Sequence, residues 1–276
     1  MELFKDYHNH ELQHLSPRQQ QNCPLCGELQ TIMLRGKVAD IETGVYHVVG
    51  DKGYSFCNCR NIFFTNWKNI DLTNYDENYA KRAMGDQEDR VLEVEKQWEI
   101  AQRFCPKAKS FLNVGDYEDR FLDYLKNNDW NNMSLATIDI IPRESKHRFI
   151  CANFEDWDTD EKFDIVWMSH FMEHIRDPRK ILDKVKKLLN PGGILFNAMP
   201  DTNHINWGDP TEFPFLTAEH HILWNMYDWI DFAEDDEFKC VFKQLSHDVI
   251  TRRQKEIKRI DYCWIKESRT IFQKLP

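Results

Sequence analysis

The sequence predicts an α/β protein: a doubly wound, mostly parallel sheet from about residue 105 onward, preceded by a small cysteine-bearing module. Three observations carry that prediction. Beyond residue 110, short apolar β-type runs alternate with amphipathic helical stretches, the pattern of a parallel sheet covered by helices on both faces. Two tight cysteine pairs lie near the N-terminus, apart from that alternation. The 276 residues, 41% hydrophobic and 13% aromatic, suffice for one large core with a small appendage.

Taken in order, residues 1–21 form a polar, Gln- and His-rich leader, in which His8, His10 and His14 lie close together without an apolar frame. Residues 22–75 hold the cysteine module: "CPLCG", β-type residues in "GVYHVVG", a turn expected at "DKG", then "YSFCNCRNIFFTN". Residues 76–104 are charged, and "QEDRVLEVEKQWEIAQRF" has apolar spacing near 3.6, predicting a connecting helix packed on the larger domain. Residues 105–276 form that domain. Its strands are expected at "SFLNV", "LATIDII", "RFICANF", "KFDIVWMS" and "GILFNAMP". Its helices are expected at "EDRFLDYLKNN" and "DPRKILDKVKKLLNPGG", the second stopped by Pro-Gly-Gly. An aromatic insert covers about 200–235 and ends in a helix near 225–235. Two β-type runs, "FKCVFKQLSHDVI" and "RIDYCWIKESRTIFQ", close the chain.

Composition excludes several classes. A net charge of −10 argues against a general nucleic-acid surface, which needs clustered Lys and Arg. The one basic stretch, "TRRQKEIKR", contains a glutamate and reads as a solvated turn. No apolar stretch approaches the ~20 residues of a membrane span, and "MELFKDYHNHELQHLS" lacks the basic and apolar regions of a secretory signal. A cytoplasmic protein is the expectation. Cys105, Cys151, Cys240 and Cys263 are scattered among apolar neighbours, as free buried thiols are, whereas Cys23, Cys26, Cys57 and Cys59 are grouped like metal ligands.

In open α/β sheets, ligands sit beyond the carboxyl ends of the strands. Four successive strand ends here carry polar residues: Asn113-Val114-Gly115-Asp116, then Asp139, then Asn153-Phe154, then Ser169-His170 followed by "FMEHIRDP". Packing alone is a poor explanation for that series.

The run "FDIVWMSHFMEHIRDPRKILDKVKKLLNPGGILFNAMP" resembles the central-to-late part of class I S-adenosylmethionine-dependent methyltransferases, through Glu173-His174, Asp177-Pro178, a Leu/Lys-rich helix and Pro191-Gly192-Gly193. The resemblance covers about 105–272 and implies a Rossmann-like sheet of seven strands ending in an antiparallel hairpin. It also implies roles. Gly115 would let the backbone approach the methionine part of S-adenosylmethionine, and Asp139 would accept from both ribose hydroxyls. Asn153 would accept from the adenine amino group, Phe154 would flank the ring, and Ser169 would meet the amino-acid end. Other readings stand beside these: Asp139 as a helix cap, Asn153 as a turn residue, Glu173-His174 as a helix-start device.

The first of these loops departs from the family. Its usual acid is replaced by Asn113, with Asp116 available to supply the charge, and usual glycines are replaced by Tyr117 and Asp119. A non-glycine residue forced to positive φ costs ~1–2 kcal/mol. We read the loop as remodelled but working; the alternative is a methyltransferase-like scaffold or binding protein that lost its cofactor.

Cys23-Pro24-Leu25-Cys26 and Cys57-Asn58-Cys59 together suit one tetrahedral, structural zinc ion, which a unit too small for its own core would need. A cysteine module, then "NIFFTN" and "YDENYA", then the methyltransferase domain is similar to a subgroup that methylates sugars, often nucleotide-linked ones. That likeness implies a small polar acceptor, a sugar or sugar nucleotide. It also implies a Glu-His pair as general base, here Glu219-His220 with His221 as rival, although Thr217 stands where the subgroup has tyrosine. Tyr75 and Tyr79 would line the acceptor pocket.

Overall fold

The computed structural model describes residues 20–42, 45–64, 87–116, 119–128, 132–202, 220–245 and 267–276. His8, His10, His14, Tyr75, Tyr79, Tyr117, Thr217, Glu219 and Cys263 lie outside the described residues.

Two sheets organise the chain. The first is antiparallel and has five strands: β1 (Gln20–Asn22), β2 (Leu29–Glu42), β3 (Val45–Cys57), β4 (Ile62–Phe64) and the much later β10 (Ile222–Leu223), in that spatial order. Two expectations are corrected here. Residues 20–21, assigned to the leader, begin β1. The turn expected at 51–53 is instead strand: Asp51, Lys52 and Gly53 pair with Lys37, Gly36 and Arg35 inside one long hairpin. A glycine on each strand left the alternation weak there, so the polar triplet imitated a turn.

The second sheet has seven strands. They are β5 (Ser110–Val114), β6 (Ser134–Asp139), β7 (Arg148–Cys151), β8 (Phe163–Ser169), β9 (Leu189–Pro200), β11 (Phe238–Leu245) and β12 (Glu267–Lys274). Their order is β11-β12-β9-β8-β5-β6-β7. β5 to β9 run parallel, while β12 lies antiparallel to both β9 and β11. The chain winds outward through β5, β6 and β7, then returns to β8 on the other side of β5. The carboxyl ends of β5 and β8 therefore flank the switch point, where open α/β sheets take their ligands.

Helices cover both faces. On one face, α1 (Gln87–Phe104) and α2 (Arg120–Asn127) bury Trp98, Ala101, Phe121, Leu122 and Leu125 against Phe111, Trp167 and Phe196. Trp98 stands edge-on to Phe111 and Phe121, each at 6.0 Å, which ties the connecting helix to the sheet. On the other face, α3 (Pro178–Leu188) and α4 (Met226–Ala233) pack on Leu112, Val166, Leu195 and Phe272. Asp177 caps α3 by accepting from the Lys180 N–H, and Pro178 occupies the first turn, where no N–H is needed. α3 passes at once into β9, so Pro191-Gly192-Gly193 lies within a strand rather than beyond a helix stop. A Cβ on Gly193 would meet the Asn190 and Asp164 carbonyls at 2.9 and 3.0 Å, which explains the glycine there.

The scattered cysteines are less buried than expected: Cys151, on edge strand β7, is exposed, and Cys105 and Cys240 are half-buried. No helix among the described residues is long and apolar enough to cross a membrane.

Candidate active site

β5 ends by burying Asn113 beneath the turn that follows. Its amide donates to the Asp116 carboxylate, so these two side chains form one unit at the start of the loop. Gly115 has φ +74° and donates its N–H to the Ile138 carbonyl of β6 at 2.9 Å. A Cβ there would lie 2.7 Å from Cδ2 of Phe171. Asp119, in a place where the family carries glycine, has φ −81°, so its side chain imposes no backbone strain. Its carboxylate is held by Arg143 at 2.6 Å, by the Ser145 hydroxyl and by the Lys146 N–H at 2.9 Å. Burial would raise the Asp119 pKa, but these donors, Arg143 foremost, pull it below the ordinary range. Arg143 also donates to the Asp116 carbonyl and lies over the Phe149 ring. A clamp from the β6–β7 connection thus fixes the end of this loop at Asp119.

Asp139 ends β6 half-buried, with Oδ1 accepting the Ile141 N–H at 2.8 Å. Burial raises its pKa, and the Ile141 N–H and the Arg143 charge offset this only in part. A half-buried carboxylate at a strand end, with lone pairs beyond those its backbone donors use, suits a ligand that brings two hydroxyls. After β7, Asn153 opens a turn: its amide oxygen accepts the Glu155 N–H and its nitrogen donates to Asp156, both at 3.0 Å. An adenine contact would share that oxygen, which has a second lone pair. Phe154 is buried, with Trp157 on one side and Phe171 edge-on at 5.9 Å. Lys184 of α3 ties the turn down by donating to the Phe154, Glu155 and Trp157 carbonyls.

β8 ends at Ser169, half-buried and paired with Ala198. The next residue, His170, has φ +53° and heads a chain of charges that sequence reasoning did not assign. Its Nδ1 meets Glu173 at 3.2 Å and its Nε2 meets Glu267 at 3.1 Å. Glu267 in turn pairs with Arg269 and accepts from Gln97 of α1. Burial alone would depress the His170 pKa, but its two carboxylate partners raise it to about 10. Burial would likewise raise Glu173, yet His170 and the neighbouring His174 and His220 bring it down to about 2. The one sequence signal was polar residues alternating into the apolar run "ESRTIF".

His220 is buried and its ring meets His174 edge-on at 4.9 Å. The next N–H, of His221, donates to the Glu173 carbonyl at 2.7 Å, and Tyr54 of β3 donates to the His220 carbonyl. Immediately afterwards the chain enters β10 on the first sheet. The cysteine module and the β8 loop thereby meet at His220.

The four N-terminal sulfurs converge. All four Sγ atoms lie within 4.8 Å of one another, with Cys23–Cys59 at 3.7 Å and Cys26–Cys57 at 3.6 Å. Tetrahedral Zn–S bonds of about 2.3 Å require edges of about 3.8 Å, so the set has the dimensions of a closed thiolate site.

Comparisons with known proteins bear on the family and the fold. A family model described as a methyltransferase domain matches residues 75–243, more than half of the chain. The Nitrobacter winogradskyi ubiquinone biosynthesis O-methyltransferase is 29% identical over 97 residues, 34% of this chain and 36% of that protein. The protein of the same name from Cereibacter sphaeroides (strain ATCC 17029 / ATH 2.4.9) is 25% identical over 116 residues, 40% and 44% of the two lengths. These matches thus span less than half of either relative. Among solved structures, the plantazolicin methyltransferase BpumL, in complex with a pentazolic analogue and S-adenosylhomocysteine, gives a TM-score of 0.53 at 11% identity, covering 72% of this chain and 89% of its own. A chain of the complex between the Haloferax volcanii Trm112 methyltransferase activator and a methyltransferase gives 0.52 at 14%, covering 72% and 96%. Identities this low speak for the fold alone. The family match over more than half of the chain, with a strand order and fold that agree, makes this chain a member of the methyltransferase-domain family.

Proposed function

We propose that the enzyme transfers a methyl group to a hydroxyl of a small polar acceptor, a sugar or nucleotide-linked sugar. The observation that carries this reading is the series of polar groups at the carboxyl ends of β5, β6 and β8, beside a buried histidine delivered by the acceptor-side segment. S-adenosylmethionine would supply an electrophilic methyl on a sulfonium. Asp139 would hold the ribose diol, Asn113, Gly115, Asp116 and Ser169 the amino-acid end, and Asn153 and Phe154 the adenine side. His220 would take the acceptor proton, with Glu219 the carboxylate adjacent in sequence. Most of the rate would come from positioning, since the displacement needs alignment more than acid–base strength.

Support for an oxygen acceptor comes from the names of the relatives, which are O-methyltransferases. Support for a sugar comes from the cysteine module preceding the catalytic domain. We further propose that Cys23, Cys26, Cys57 and Cys59 hold one structural zinc, and that residues 22–75 and 105–276 are the two units it joins through β10.

Calorimetric titration with S-adenosylmethionine and S-adenosylhomocysteine tests the reading. Micromolar binding that Asp139→Ala abolishes is the expected result, followed by turnover with sugar or sugar-nucleotide acceptors. Binding indifferent to Asp139 would reject the assigned site.

A further inference from the structure

We propose that Glu173, held by His170, is the carboxylate partner that positions and charges His220. This rests on reading His220 as the proton acceptor, but it assigns its partner to the β8 loop rather than to the adjacent Glu219.

Three observations point this way. A carboxylate oxygen of Glu173 and ring nitrogens of His174 and His220 lie within 4.8 Å of one another. Glu173 is 2% exposed, and its Oε2 has no hydrogen-bond partner among the described residues. The His221 N–H to Glu173 carbonyl bond, at 2.7 Å, fixes the two segments in register. The other carboxylate oxygen, Oε1, is taken by His170, which is itself braced by Glu267 and Arg269. Glu173 therefore stays ionised and cannot swing away, which is what a charge partner for an imidazolium requires.

Among the described residues, other groups near His220 include the His174 ring, the adjacent His221 with Arg176 against its Nε2, and the Tyr54 hydroxyl on its carbonyl. Charge balance favours a proton over a metal here. Among the described residues, Arg269 and His170 offset Glu267 and Glu173, and a divalent ion would add two positive charges to that balanced group, whereas a protonated His220 adds one.

The test is an NMR titration of histidine-labelled full-length protein, with the His220 ring signal assigned from His220→Gln. Glu173→Gln should lower the His220 midpoint by about one pH unit or more, the effect of losing an opposite charge within ~4–6 Å. Glu219→Gln should leave it in place. His170→Asn should raise it, by removing a cation that competes with His220 for Glu173; this variant carries the test if Glu173→Gln does not fold. A larger fall with Glu219→Gln, or no movement in any variant, overturns the proposal. So does stoichiometric zinc or manganese that shifts the His174 and His220 signals together and needs Glu173 to do so. S-adenosylhomocysteine binding, measured on the same samples, reports separately on the methyl-transfer reading.

Discussion

Cδ2 of Phe171 lies 2.7 Å from where a methyl group on Gly115 would be, so the ring closes over a loop position that has positive φ and no side chain. Both features select glycine. Gly115→Ala should weaken S-adenosylhomocysteine binding about tenfold or more, since left-handed backbone costs a side chain ~1–2 kcal/mol and about 1.4 kcal/mol is tenfold. Adding Phe171→Ala should recover the steric part and not the backbone part, as read by calorimetry on the single and double variants.

The Arg143–Asp119 clamp should support both stability and cofactor binding. Their side chains are 8% and 13% exposed, so Arg143→Met leaves a poorly solvated carboxylate that has lost its strongest donor. We expect a loss of about 2 kcal/mol in urea unfolding, within the ~1–3 kcal/mol that stranding a buried group costs. Weaker S-adenosylhomocysteine binding should accompany it; unchanged binding would show that the loop does not depend on the clamp.

Stability should fall on both sides of a plateau. His170 is raised from 6.5 to about 10, so its contribution is complete below about pH 6.5 and is lost as pH climbs toward 10. Glu173 is lowered from 4.5 to about 2, so its contribution is complete above about 4.5 and is lost as pH falls toward 2. Thermal melts across this range should be flat from about 4.5 to 6.5 as far as this pair decides. His170→Asn should flatten the alkaline decline; an identical decline would place its cause elsewhere.

Removing the thiolate site should be felt beyond the first sheet. Metal analysis is expected to find one zinc per chain, lost in Cys26→Ser or on prolonged chelation, with a lower Tm. Because β4 pairs with β10, Ile222 against Phe64 and Leu223 against Phe63, the His220 ring signal should shift as well. A variant that loses zinc and keeps the His220 signal would mean that the strand pairing holds without the ion.

Much of this was legible in the sequence, because the relevant signals are local. Each parallel strand, the helices on either side of the second sheet, and the polar strand ends Asn113, Asp139, Asn153 and Ser169 lie within short windows of apolar periodicity. The errors arose where local signals mislead: a polar triplet inside β3, and a Pro-Gly-Gly that bends a strand rather than ending a helix. The cysteine pairs announced their chemistry, but only folding brought their sulfurs to 3.6–3.7 Å. The charge chain was invisible for a plainer reason. His170 and Glu267 are 97 residues apart, and neither acquires a shifted pKa until the end of β8 and the start of β12 meet at one edge of the sheet and bring the opposite charges together. Sequence determined which groups stand at the strand ends; burial and long-range pairing, which exist only in the folded chain, decided which of them carry charge and which side chains they face.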